Sequence, residues 1–455
     1  MKPWSPQLSP RMYQLGDSPR GWLSPPLLLL LAHAALILLG TTLLMTPWAT
    51  VAPIGWLQAG FTATSAATVT GLVVVDTGTQ FTLFGQCVIL VLIQCGGIGV
   101  MTFAVLTAMA LGVRLGIQHQ LLASEALNQS SFKAVVVTVR SIALFALVIE
   151  LVGVLALACF WVPEKGWPHG LYQALFYTIS AFNNAGFALS ADSLSGYVSH
   201  AGVVLTITAL FIVGGLGYAV IMEILQKRSY ARLSVYSKLV LQATLWLNLL
   251  ALVAFFSLEH SNPATLGALK GWGEQLLAAW FQATTPRTAG FNTLDIGSLT
   301  AATCVLFLLL MFVGAGPNST ASGIKLTTFV VLLAATRSFL RGNLAVTLGR
   351  RSLPVDTVTK ALAISTIGMM IIFIGVFALS ALERAPLLDI AFEVVSAFGT
   401  VGLSRGLTTE LSAPSQLIIM LVMLIGRVGP LTLGYLLTRP SKEHVKYPHA
   451  ELPLG

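Results

Sequence analysis

Phe61-Thr62-Ala63-Thr64-Ser65…Gly71, Phe176-Tyr177-Thr178-Ile179-Ser180…Gly186, Phe281-Gln282-Ala283-Thr284-Thr285…Gly290 and Phe392-Glu393-Val394-Val395-Ser396…Gly402 are four copies of one pattern. In each, a Phe is followed four residues later by Ser or Thr, and a Gly closes the segment six residues on, five in the third copy. Copies about 110 residues apart mark an internal repeat, which decides the architecture before anything else is read. Each copy stands between two long apolar runs, so the unit reads as helix, pore loop, helix.

Composition supplies the solvent for that unit. With 56% hydrophobic and 9% charged residues, and an uncharged stretch from Thr77 to Val113, the chain is a polytopic membrane protein and not a soluble globule. Runs long enough to cross a hydrocarbon core of about 30 Å are predicted at 27–46, 81–112, 141–162, 201–223, 239–258, 299–336, 361–382 and 412–438, two per repeat. The repeats fall at 27–113, 114–228, 229–340 and 341–438, flanked by an N-terminal segment 1–26 and a tail 439–455. The first run follows Lys2, Arg11, Arg20 and several prolines without an A-x-A-like cleavage site, so it is expected to be a retained helix. Cys87, Cys95, Cys159 and Cys304 lie in apolar runs without C-x-x-C spacing and are expected to be buried small hydrophobes.

Of 25 Lys and Arg, 18 lie in the two termini and in 114–140, 227–238 and 337–360, the connections between repeats. The positive-inside rule puts these, and both termini, in the cytoplasm. Because every connection between repeats is basic, all four repeats point the same way, about an axis along the membrane normal. That argues against the inverted repeats of many carriers. The net charge of +8 then belongs to one face, suited to anionic lipid or an acidic cytoplasmic partner.

Segments near 54–68, 170–183, 273–285 and 387–398 are too short to cross and too apolar for free loops, so they are predicted re-entrant helices. Irregular backbone after each is tolerated at membrane depth only where it lines a watery path. The stretches that follow are Thr68-Val69-Thr70-Gly71, Asn183-Asn184-Ala185-Gly186, Arg287-Thr288-Ala289-Gly290 and Gly399-Thr400-Val401-Gly402. Glycine admits dihedrals that turn a carbonyl inward, and four such strands supply rings of backbone oxygen for a dehydrated cation.

Extended by one or two residues, to Thr-Val-Thr-Gly-Leu72, Asn-Asn-Ala-Gly-Phe187, Arg-Thr-Ala-Gly-Phe291-Asn292 and Gly-Thr-Val-Gly-Leu403-Ser404, these strands give the array its resemblance to the Trk/Ktr/HKT superfamily of potassium transporters, over nearly the whole chain. Eight spans with no extra helix pair make it similar to the KtrB branch. The resemblance implies a bacterial inner-membrane subunit, a homodimer with one pore per protomer, resting on a cytoplasmic ring of KtrA-like subunits that bind ATP or ADP. It also implies sodium-dependent potassium uptake, Na⁺ acting as activator or coupling ion. All four filter positions are Gly here, whereas relatives that pass sodium often carry Ser in the first, so potassium is the expected ion.

The run 299–336 is 38 residues, about 57 Å as straight helix, and must break. Gly314-Ala315-Gly316-Pro317-Asn318-Ser319-Thr320-Ala321-Ser322-Gly323 cannot hold helix comfortably, and it resembles the family's intramembrane gating loop; a simple kink is the alternative. Lys325 follows it, as part of the gate or as an anchor that snorkels to the interface. One repeat alone is expected to carry such a break. Arg427, in Ile425-Gly426-Arg427-Val428-Gly429-Pro430, is an ionisable residue at membrane depth and hence a functional candidate. By resemblance it is an electrostatic barrier under the filter; the alternative is an ion pair with Glu150 or Glu223.

No nucleotide-binding, hydrolytic or paired-cysteine motif appears, so the chain is not expected to be an enzyme, to carry its own cofactor or to bind nucleic acid. The competing class is a carrier-type cation symporter with a midplane site, which needs inverted repeats with pairs of broken helices.

Overall fold

The computed structural model describes residues 25–99, 102, 132–343, 345–348 and 351–429. The N-terminal segment to residue 24, most of 100–131, Arg350 and everything from 430 through the tail lie outside the described residues.

Four times the chain forms a long outer helix, a short pore helix, an irregular strand and an inner helix. In order, the outer helices are Pro25–Leu44, Phe132–Lys165, Val235–Glu259 and Val355–Leu382. The pore helices are Trp56–Ala67, Trp167–Phe182, Trp272–Thr284 and Leu387–Gly399, and the inner helices are Leu83–Ile98, Ala201–Leu216, Ala301–Phe312 and Ala413–Val428. The described structure is otherwise almost free of strand: Thr347–Leu348 pairs antiparallel with Arg351–Ser352 between the third and fourth repeats.

Burial explains the layering. The repeated Phe61, Phe176, Phe281 and Phe392 are wholly buried, because each pore helix packs against its own outer helix and against the inner helix of the preceding repeat, the first on that of the fourth. The outer helices show the opposite pattern, leaving Leu147, Leu151, Leu155, Leu250, Phe373 and Phe377 exposed, as a face solvated by lipid requires. Carboxylates at the ends of the outer helices fix the inner ones. Glu259 accepts from Thr300 N (2.9 Å), and Glu383 from Ser412 N (2.9 Å), so each bonds the N-cap of the next inner helix.

The outer helices are long enough to span; the inner ones are apolar helices of 12 to 16 residues that stop on a break. They end at Gly99 (φ +94°), at Gly217 (φ +89°), at Val313 and at Gly429 (φ +96°). The expectation of one broken repeat is thereby corrected. In the second repeat the chain turns by 96° at Gly217 before resuming as Tyr218–Lys227. Left-handed backbone ends a helix, and glycine adopts it without the Cβ penalty. The cysteines divide as well: Cys95 and Cys304 are buried, but Cys87 and Cys159 are exposed on the outside of the bundle, since small apolar residues are equally at home against lipid.

Candidate functional site

The four strands meet one another in cyclic order. A Cβ built on Gly71 would lie 2.3 Å from Ala185 O, one on Gly290 2.1 Å from Val401 O, and one on Gly402 2.2 Å from Thr70 O. On Gly186 it would lie 2.9 Å from Gly290 Cα and 3.1 Å from Ala289 O. Strand one therefore abuts strand two, two abuts three, three abuts four and four closes on one, with glycine against the neighbour's backbone at every junction. All four glycines have positive φ, between +69° and +92°.

How each pore helix ends explains how its strand departs. In the first repeat Val69 N donates to Ala66 O and Thr70 N to Ser65 O; in the second Asn184 N donates to Ala181 O and Ala185 N to Ser180 O. The fourth repeats this with Thr400 N to Ala397 O and Val401 N to Ser396 O. This is the Schellman arrangement, with the left-handed residue ordinarily a glycine. Here it is Val69 (φ +58°), Asn184 (+58°) or Thr400 (+46°), and Thr288 (+74°) stands at the same distance from its glycine in the third strand. A β-branched residue is strained there, and the surrounding packing holds it. Among the described residues, Asn184 Oδ1 and Thr288 Oγ1 are buried acceptors without a hydrogen-bond partner.

The repeated hydroxyl has a direct role. Ser65 Oγ accepts from Gly71 N (3.0 Å) and Ser396 Oγ from Gly402 N (3.1 Å), while Ser180 Oγ donates to Phe187 O (2.8 Å) and Thr285 Oγ1 to Phe291 O (2.6 Å). Each ties the far end of its strand back to its own pore helix. Ser396→Ala leaves Gly402 N unpaired, a loss of about 1–3 kcal/mol, and is expected to lower the detergent melting temperature. Unchanged melting would show that this tie is dispensable.

The first residues of the strands turn their side chains away from the ring. Thr68 Oγ1 donates to Thr64 O (2.7 Å), and Asn183 Nδ2 donates to Gln94 Oε1 (2.8 Å) and Glu150 Oε1 (3.2 Å) on neighbouring helices. Arg287, 7% exposed, donates from Nη1 to Asn248 Oδ1 (2.8 Å) on the third outer helix. Gly399 closes the fourth pore helix.

The segment Gly314–Gly323 is an irregular loop and not a kink. Its ends are paired, Gly314 N donating to Ile324 O (2.9 Å), and its body lies across the ends of other repeats. Gly316 N donates to Gly215 O (2.9 Å), Ser319 Oγ donates back to Gly316 O, and Thr320 N donates to Gly214 O (3.3 Å). Asn184 Nδ2 of the second strand donates to Thr320 Oγ1 (2.6 Å), which donates to Phe182 O (3.3 Å) at the end of the second pore helix. A Cβ on Gly323 would lie 3.5 Å from Gly399 Cα, under the fourth strand. Lys325 is half-buried and donates to Ala321 O (2.7 Å), so its ammonium secures the loop and does not reach outward.

Arg427 pins this loop from the far side. Its Nη1 donates to Thr320 O and to Ser322 Oγ (3.0 Å), and its Nη2 to Gly96 O and Gly97 O (3.5 Å) at the end of the first inner helix. The ion pair with Glu150 or Glu223 is not formed. Glu150 faces Asn183, and Glu223 is held by Lys227, Ser234 and Ser237. Carbonyls at a helix C-terminus attract a cation and so replace a carboxylate.

A second repeat in the sequence, without the Phe and hydroxyl that mark the first, carries this arrangement: Gly96-Gly97-Ile98-Gly99, Gly214-Gly215-Leu216-Gly217, Gly314-Ala315-Gly316-Pro317 and Gly426-Arg427-Val428-Gly429. Arg427 occupies the position that Gly97, Gly215 and Ala315 hold in the other repeats. Three small residues and one arginine thus stand at equivalent positions of the repeat.

Comparison with known proteins places this geometry. The family described as "TrkH: Cation transport protein" matches residues 31–447. The chain is 49% identical over 432 residues to "Ktr system potassium uptake protein B" of Bacillus subtilis (strain 168), covering 95% of this chain and 97% of that protein. It is 44% identical to the protein of the same name from Vibrio alginolyticus, covering 94% and 95%, and 34% identical to "Potassium/sodium uptake protein NtpJ" of Enterococcus hirae, covering 95% and 98%. Among solved structures, the potassium transporter TrkH from Vibrio parahaemolyticus superposes with a TM-score of 0.74 at 18% identity, over 92% of this chain and 86% of that one, a likeness of fold. A four-repeat pore-loop bundle that matches this family along nearly its whole length is a transport protein and not an enzyme, and the chain belongs to the TrkH cation transport family.

Proposed function

We propose that this chain is the potassium-translocating subunit of a sodium-dependent uptake system, the ion passing through the ring of four strands and the loop 314–323 closing the path beneath it. The observation that carries the reading is the cyclic closure of Gly71, Gly186, Gly290 and Gly402, each against the backbone of the next strand. A ring of backbone oxygens held by packing replaces the hydration of a cation. The names of the similar proteins supply the ion: two are potassium uptake proteins of Ktr systems and one a potassium/sodium uptake protein. In this reading the four repeats 27–113, 114–228, 229–340 and 341–438 surround one pore per protomer, in a homodimer of the bacterial inner membrane. Both termini and the basic connections face the cytoplasm, against anionic lipid and a KtrA-like nucleotide-binding ring.

Rubidium and sodium flux into proteoliposomes containing this chain alone tests the assignment. Rubidium is expected to enter in preference to sodium, and no flux of either with correctly inserted protein overturns it. Deleting Ala315–Ser322 is expected to raise flux and weaken its dependence on the partner. The bond from Gly314 N to Ile324 O already brings the two ends together. A deletion that inserts normally and carries no more ion than wild type makes the loop a structural filler.

The second inner helix also breaks, turning by 96° at Gly217, so the carrier-type symporter stands as the second reading. Introduced cysteines separate the two. A pore predicts all four short helices reachable from one face, a carrier two from each.

A further inference from the structure

The half of the loop that Arg427 does not hold is gripped from another direction. We propose that the short helix Tyr218–Lys227 is a lever that keeps the loop in the path from the cytoplasmic side, with Tyr236 and Glu223 as its positioning residues. The inference rests on the reading of 314–323 as a gate.

Three contacts carry it. At the 96° turn, a Cβ on Gly217 would lie 2.7 Å from Pro317 O and 3.1 Å from Asn318 O, so the loop's carbonyls rest directly on the hinge. The first N–H of the lever, from Tyr218, donates to Asn318 O (3.3 Å). Tyr236, in the first turn of the third outer helix, donates its hydroxyl to Pro317 O (3.1 Å). Residues 317 and 318 are thus held by two elements, and Glu223 joins those elements to each other. Its carboxylate accepts from Ser234 N (2.7 Å), Ser234 Oγ (2.7 Å) and Ser237 Oγ, so a residue of the lever caps the outer helix that carries Tyr236. Lever, outer-helix turn and loop form a closed triangle.

The solvent-facing corner of the triangle carries cations and is tied to the third outer helix by Lys238 Nζ donating to Ala231 O (2.8 Å) and Gln242 Nε2 to the Tyr230 hydroxyl (2.7 Å). Lys227, Arg228, Tyr230 and Arg232 are exposed there, on a turn containing a left-handed Arg228 (φ +48°) and a short 3₁₀ segment Tyr230–Arg232. An acidic protein surface that engages these cations displaces the Glu223 corner, and with it both holds on Pro317 and Asn318. The ties of Thr320 O and Ser322 Oγ to Arg427 run to the fourth repeat, and those of Thr320 to Asn184, Phe182 and Gly214 lie ahead of the hinge at Gly217, so none of them is made by the lever itself.

Full-length Tyr236→Phe, Glu223→Gln and Gly217→Ala proteins in proteoliposomes test the lever, with partner-free rubidium flux read beside detergent melting temperature. Removing one hydrogen bond from the closed state raises the open fraction about fivefold. Tyr236→Phe is therefore expected to show about fivefold more partner-free flux with wild-type melting, and Glu223→Gln the same direction. Gly217→Ala, which forces a Cβ onto Pro317 O, is expected to exceed both. Wild-type flux in Tyr236→Phe and Glu223→Gln, while deletion of 315–322 still raises flux, overturns the lever and leaves the gate standing. If the deletion is also without effect, the gate reading itself falls.

Discussion

Gly290→Ser is expected to abolish most discrimination between potassium and sodium and to reduce total flux at least tenfold. Two costs coincide at this position. The backbone holds φ at +78°, where a side chain costs about 1–2 kcal/mol, and the new Cβ would fall 2.1 Å from Val401 O. That obstacle is backbone of the adjacent strand, so relief requires moving the fourth wall of the ring. Gly71→Ser and Gly402→Ser meet neighbouring carbonyls at 2.3 and 2.2 Å and are expected to behave similarly. Gly186→Ser, whose nearest obstacle is 2.9 Å away, should be the mildest of the four. Uptake affinities for rubidium and sodium give the ranking, and wild-type discrimination in a well-inserted Gly290→Ser protein removes the ring from any part in selection.

Arg427→Ala is expected to raise partner-free cation leak by an order of magnitude while leaving the folded yield largely intact. The guanidinium donates to Thr320 O and Ser322 Oγ of the loop and to Gly96 O of the first inner helix. Hydrogen bonds from a charged donor contribute about 1.5–3 kcal/mol each, and all of those on the loop favour its present position. No carboxylate is stranded by the change, so the severe penalty for breaking a buried ion pair does not arise. Arg427→Lys should fall between, since an ammonium cannot span both groups of acceptors as the planar fork does. Lost yield with no added leak would assign Arg427 to folding alone.

The pore helices were legible because their Phe and their Ser or Thr answer to local requirements. The aromatic is buried, and the hydroxyl ties Gly402 or Phe187 back to the helix. The left-handed backbone of the four ring glycines was legible for the same reason, as a positive φ leaves its mark in the sequence. The left-handed Val69, Thr288 and Thr400 were not, since β-branched residues argue for strand and tertiary packing overrides them. Nor was the turn at Gly217, because Tyr218-Ala219-Val220-Ile221-Met222 continues the apolar run without a gap. Arg427 was visible as a charge at membrane depth, but its partners are mostly backbone carbonyls, which any residue supplies. Arg287 was read with the ring, yet its side chain finds Asn248 on the preceding outer helix, a pairing no local pattern announces.

A pore assembled from four identical subunits changes every wall at once when one codon changes. In this chain the walls are four different sentences in a single gene, and the closing contacts run from Gly71 round to Gly402 and back. Each wall is therefore open to separate revision, and selection has a graded dial where a homotetramer has a switch. The same independence forbids exact fourfold symmetry at the centre of the ring, whose surroundings differ on every side.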